Sequence, residues 1–180
     1  MSRLVVALLG LILIAPFPAA AKSKLPIKIA VTDSLSQQLA AHIAAAALKK
    51  ARYRVELVQT DGAGQFPLIA GGEIHLQPQA RPEAAGYAAA VESGKVLVLG
   101  PLGPDAGSGD KVIWQHMAKT WPGAVKVLRT FTLTSAHREA LVAEVDSKGR
   151  NLEEVVKEWM AANRKVWKKW TASDGNWMRP

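Results

Sequence analysis

Apolar and polar residues alternate soon after a short polar start. Ile27, Ile29 and Val31 recur at every second position, so residues 25–31 are predicted as a first strand that ends in Thr32-Asp33-Ser34. The period then changes. Leu35, Leu39, Ile43 and Ala46 or Ala47 repeat at helical spacing, and Ser34 with Gln37 three residues on has the form of a capping box, which predicts a helix over 35–51. Lys49, Lys50 and Arg52 stand at its C-terminal end, where they complement the macrodipole. Its run of alanines over 40–47 predicts close packing against a sheet.

Alternation returns over 54–59 through Val55 and Leu57, a second strand stopped by Asp61-Gly62-Ala63-Gly64. A short helix over 65–70 leads through Gly71-Gly72 to a third strand over 73–76, which Pro78 and Pro82 are expected to end. Strand, helix, strand, helix, strand builds right-handed parallel crossovers, so the three strand ends (32–34, 61–64 and 77–81) fall on one edge of a mainly parallel sheet. In open α/β sheets, ligands bind at that edge.

A helix is predicted over 82–93, with Pro82 in its first turn, and a fourth strand over 95–99. Residues 100–110 hold four glycines and two prolines and read as a loop or hinge. Helices are predicted over 112–119 and 122–129, a third capped by Thr134 or Ser135, and a last one capped by Asn151 with Glu154. This last helix carries Leu152, Val155, Val156, Trp159, Met160, Val166, Trp167 and Trp170 on one broad stripe.

The first residues change the picture of where such a domain works. Arg3, an apolar run over 4–14 and Ala19-Ala20-Ala21 read as a secretory signal over 1–21, leaving one domain over 22–180. The apolar run breaks at Pro16 and Pro18, short of the roughly 20 residues a spanning helix needs. No cysteine is present, which excludes a disulfide scaffold and a lipid-modified cysteine, so the expected location is the periplasm, as a secreted protein and not a lipoprotein. The formal net charge of +8 fits a solvated basic face and names no partner by itself.

Catalytic chemistry finds no foothold. His42, His75, His116 and His137 are widely separated and none pairs at i, i+4 spacing for a metal, there is no G-x-S-x-G elbow, and 103–111 lacks phosphate-loop spacing. No enzyme activity, cofactor or metal is expected, and His75 reads as a structural histidine. The run from Arg164 to Trp170 interleaves tryptophan with lysine, a pattern also found on membrane surfaces and in nucleic-acid binders. Its tryptophans share the stripe of Val155, Val156 and Met160, which predicts core packing, and no nucleic-acid partner is expected.

Several short motifs, in shared order, resemble the glycine betaine/proline (quaternary ammonium) substrate-binding proteins of ABC importers. They include Asp33 to Gln37 before the alanine-rich helix, Tyr53-Arg54-Val55, Gly72-Glu73-Ile74-His75-Leu76-Gln77 and Gly100-Pro101-Leu102-Gly103. Trp121-Pro122-Gly123-Ala124, Phe131-Thr132-Leu133-Thr134 and Glu158-Trp159-Met160-Ala161-Ala162-Asn163 continue it. The resemblance implies two α/β lobes closing on a ligand. This chain skips from the 100–110 loop to the C-terminal helices, so the expectation is one lobe of a type II periplasmic-binding-protein-like fold, a mainly parallel sheet flanked by helices.

It also implies a solute-binding component that holds glycine betaine, choline or proline-like compatible solutes without chemistry, serves osmoprotection, and meets the membrane only through an ABC permease and ATPase. The ligand residues implied at the edge are Asp33, Ser34, Asp61, Gln77, Gln79 and Arg81. Ser34 and Arg81 stand where the family's cage would place tryptophans, and Gln79 where an acid is common. An arginine there disfavours a bare cation and suits a carboxylate or other anion. The alternative reading is a single-lobe interaction or regulatory module that no longer binds quaternary ammonium ligands.

Overall fold

The computed structural model describes residues 25–172. The expected signal over 1–21 lies outside the described residues. Five strands form one sheet in the order β2-β1-β3-β5-β4. β1 (Ile27–Val31) runs parallel to β2 (Val55–Gln59) and β3 (Leu76–Ala80), while β5 (Asp110–Trp114) is antiparallel to both β3 and β4 (Val96–Pro101). The ends of β1 to β4 therefore share an edge with the start of β5.

Helices cover both faces. α1 (Leu35–Lys50) joins β1 to β2, and with α5 (Pro122–Thr130), α6 (Ser135–Val145), α7 (Leu152–Ala162) and α8 (Arg164–Ala172) it covers the face that carries Ile27, Ile29 and Val31. α2 (Gln65–Gly71) and α3 (Tyr87–Glu92) cover the other, packing Phe66, Ile69 and Ala90 on Ala30, Ala80 and Val112. The alanines of α1 have a fuller explanation than sheet packing. α1 touches β1, β2 and β3 on one side and α5 to α8 on the other, so small side chains are needed nearly all round.

Four segments differ from the sequence expectations. The third strand is displaced: 73–75 lead in, and β3 runs through Pro78, which is buried. Pro78 is tolerated because the β3–β5 register shifts between Gln77 and Ala80 and β1 pairs with β3 only at Leu76, so no ladder bond needs its missing N–H. The helix expected over 112–119 is instead β5 followed by the short α4 (Met117–Thr120). Val112-Ile113-Trp114 is an apolar run too short for periodicity to separate strand from helix. The helix expected over 82–93 forms only as α3, after a turn ending at Gly86 with φ +84°. The last helix is two, broken at Asn163, whose side-chain amide donates to the Trp159 carbonyl at 3.0 Å.

Other expectations hold. The Thr134 side chain accepts from the His137 amide, and Asn151 Oδ1 accepts from the amides of Glu153 (2.9 Å) and Glu154 (3.1 Å). The tryptophan stripe packs as expected, Trp170 in the core and Trp159 and Trp167 partly buried against it. Trp170 meets Phe131 edge to face at 4.9 Å and stacks on Trp159 at 6.1 Å, and Trp167 Nε1 donates to the Met160 carbonyl. His75 is structural: its Nδ1 accepts from the Lys28 amide at 2.9 Å, and its ring lies 4.7 Å from that of Trp121. Burial, then the charge of Lys28, lowers its pKa. No helix among the described residues is long and apolar enough to cross a membrane.

Candidate ligand site

The edge where the strands end is organised by two glutamines pointing from a buried strand. Gln77 and Gln79, two residues apart on β3, are 0% and 4% exposed, so each needs partners. Gln77 Nε2 donates to Gln65 Oε1, and Gln65 Nε2 donates to the Gly62 carbonyl at 2.8 Å. Gln79 Oε1 accepts from Ser36 Oγ at 3.0 Å, while the Gln79 carbonyl accepts from Gln37 Nε2 at 2.8 Å. Thr32 Oγ1 donates to Gln37 Oε1. One polar network thus joins the end of β1, the start of α1, the middle of β3 and the loop before α2.

This network corrects the reading of Ser34 and Gln37 as a capping box. Ser34 has the extended backbone of an N-cap (φ −71°, ψ 117°) but makes no side-chain cap bond. Gln37 turns inward to β3, 42 positions on, and does not fold back on the helix end.

The remaining expected residues occupy the rim. Asp33 is exposed and accepts from Gln59 Nε2 at 3.2 Å. Asp61 is exposed, and one of its oxygens accepts from the Gly64 amide, fixing the turn into α2. Arg81, just beyond β3, is exposed and pairs with Glu83 at 3.5 Å. The structure therefore brings Gln77 and Gln79 together through bonds and places Asp33, Ser34, Asp61 and Arg81 around them at the same edge.

The loop 102–109 supplies a further wall that sequence reasoning treated only as a connection. Its backbone is pinned by Leu102 N donating to the Gly109 carbonyl at 2.8 Å, and Ser108 Oγ donates to the Gly103 carbonyl at 3.1 Å. Gly109 has φ +76°, and a Cβ there would sit 2.9 Å from both the Ala80 carbonyl and Gln79 Cγ, so the loop lies directly against Gln79. Gln65, Gln37 and Ser36 were missed as members of the edge, and Thr32, inside the expected edge segment 32–34, was not expected to anchor Gln37. Their only sequence signal was position, each lying within a few residues of a strand end.

Chemically the edge can donate and accept hydrogen bonds and has carboxylate and guanidinium groups on its rim. Gln79 Nε2 has no hydrogen-bond partner among the described residues, which leaves a donor beside the rim. No group of three or more acidic or histidine residues among the described residues is placed to hold a metal. A groove of about 670 Å³ lies elsewhere, against the C-terminal half of α1. What distinguishes the strand-end edge is its topology and polar chemistry rather than a cavity.

Sheet order defines a class: one lobe of a type II periplasmic-binding-protein fold, with the polar network at the carboxyl ends of its parallel strands. The family model for the substrate binding domain of the ABC-type glycine betaine transport system matches residues 25–109 and 101–162, and the chain belongs to that family. The two matched segments meet on the β4–β5 loop.

Three solved structures share the fold. Lactococcal OpuAC, in its closed-liganded conformation with glycine betaine, aligns with a TM-score of 0.69 at 14% identity, covering 81% of this chain and 99% of that one. An ABC-transporter choline binding protein in complex with choline gives 0.71 at 7% identity, covering 82% and 91%. The glycine betaine, L-proline ABC transporter binding protein ProX from Borrelia burgdorferi gives 0.67 at 10% identity, covering 83% and 99%. Comparison with curated protein sequences gives no match.

Proposed function

We propose that the protein is the solute-binding component of an ABC importer, working in the periplasm after export and binding a small compatible solute of the betaine, choline or proline kind without chemistry. The observation that carries this reading is the convergence of three parallel strand ends on the Gln77–Gln79 network, in a chain of the substrate-binding family. Gln79 Nε2 and Arg81 would meet the ligand's carboxylate, and Asp33 and Asp61 its cationic end, with Ser34 at the start of α1 between them. The β4–β5 loop is the remnant of the crossing to a second lobe, a hinge in two-lobed relatives. Calorimetric titration with glycine betaine, choline, proline and small anions tests the site, and a saturable response to one or more of them is expected. Silence across the panel would overturn it. Export is tested separately, by an N-terminus beginning at Lys22 in the periplasmic fraction.

A specific observation also favours the interaction-module reading. β4 is an edge strand bonded only to β5, and it exposes Leu97 and Val98 at 40% and 39%. Apolar side chains on an open strand edge are a surface that partners can cover. Light scattering showing a strict monomer at high concentration, together with no crosslink to a permease, would remove this reading.

A further inference from the structure

The C-terminal half of α1 and the last two helices enclose the groove of about 670 Å³, which the solute-binding reading leaves unused. Val156 and Met160 of α7 and Leu57 of β2 give it an apolar floor, and Trp167 of α8 closes one side. The bond from Trp167 Nε1 to the Met160 carbonyl, 2.7 Å long, fixes that indole. Lys49, Lys50, Lys157 and Arg164 stand around the rim, against the single carboxylate of Glu153. None of the four cations forms a salt bridge among the described residues, and Lys50 rests 5.8 Å from the centre of the Trp167 ring.

Like charges gathered around one concavity repel, and they concentrate a field that attracts an anion. An apolar floor adds affinity for a body that leaves water. A volume of this size is that of an ordinary small-molecule site. The geometry points to a second ligand site, for a single organic anion with an apolar body such as a medium-chain carboxylate, its tail on Val156, Met160 and Leu57 and its head among Lys50, Lys157 and Arg164. Concavity favours a single molecule over a membrane surface, because a bilayer is entered by apolar groups that project, whereas Val156 and Met160 are buried within the groove. The groove begins at His42, halfway along a helix of roughly 24 Å, so it is separate from the strand-end edge at Ser34.

The test titrates the protein with decanoate below its micelle concentration, following tryptophan fluorescence and heat, with acetate and decyltrimethylammonium as controls for tail and charge. Decanoate should saturate and acetate should not, and decyltrimethylammonium should bind about tenfold more weakly or worse. K50Q/R164Q should weaken decanoate by about tenfold while leaving a cooperative unfolding transition and any response to betaine unchanged. W167F should remove the fluorescence change and keep the heat. Equal binding of both head-group charges, or decanoate binding unaffected by K50Q/R164Q, would overturn the site. Pelleting with phosphatidylglycerol vesicles, without saturable decanoate binding, would overturn it in favour of a membrane surface.

Discussion

Gln37 shows how one side chain can decide the geometry of an edge. It accepts from Thr32 and donates to the Gln79 carbonyl, so removing it leaves two buried groups unmatched. Gln37→Ala is expected to cost about 1–3 kcal/mol in urea unfolding, more than the loss of an exposed contact. Lys111 makes a second residue-scale case. It is 2% exposed, its ammonium donates to the carbonyls of Phe131 (2.8 Å) and Arg129 (3.3 Å), and burial, then Arg129, lowers its pKa from 10.5 to about 8. Below about pH 8 both folded and unfolded chains carry the charge, and the fold bears the full desolvation cost. Between about 8 and 10.5 the unfolded chain holds more protons, so stability should rise with pH. Urea midpoints should therefore climb from pH 7.5 to 9.5 in the native protein and stay flatter in Lys111→Met. The comparison stops short of pH 10, above which the unfolded chain's tyrosines ionise while Tyr87, raised to about 12 by burial and its bond to Asp110, does not.

At the scale of elements, signals confined to neighbouring residues were the legible ones. Asn151 and Thr134 start their helices as their types predict, and Asn151→Ala should cost α7 about 1 kcal/mol, read as a lower urea midpoint. Long-range facts were not legible. Nothing near Pro78 announces that β3 runs through it, because the tolerance comes from a register shift against β5, more than 30 positions on in the chain. β5 itself is Asp110-Lys111 followed by three apolar residues, and only its place between β3 and β4 makes it a strand. Gln37 reads as a cap from spacing and becomes a cross-link only when β3 arrives. The edge was therefore predictable from the β-α-β order, and the network that fills it was not. Gly72 illustrates the same division. It ends α2 at φ +78°, as a glycine after a helix should, yet its strictest constraint is the Trp114 ring, 2.8 Å from where a Cβ would stand. Gly72→Ala should destabilise by about 1–3 kcal/mol, beyond the ordinary cost of a lost glycine cap.

At the scale of the molecule, the described chain is one lobe, and the ligand it can hold follows from that. Two lobes that close can surround a quaternary ammonium with ring faces, whereas a single edge leaves most of a small ligand in water. Affinity then rests on a few directional bonds, and a dissociation constant of about 1 mM is expected for the best ligand, near −4 kcal/mol. The available groups favour a carboxylate. Among the described residues Gln79 Nε2 lacks a partner and the Arg81 side chain is paired only with exposed Glu83, so it can turn to an anion with little loss, since a surface ion pair is weak. Glycine betaine and proline carry both a positive nitrogen and a carboxylate, while choline has no carboxylate. Calorimetry should therefore rank betaine and proline above choline. In Arg81→Gln the difference should shrink to less than about half its value in kcal/mol, because a charge-assisted bond to the carboxylate becomes a neutral one. Choline binding as tightly as betaine in the native protein would instead mean that the carboxylates of Asp33 and Asp61, and not Arg81, make the deciding contact.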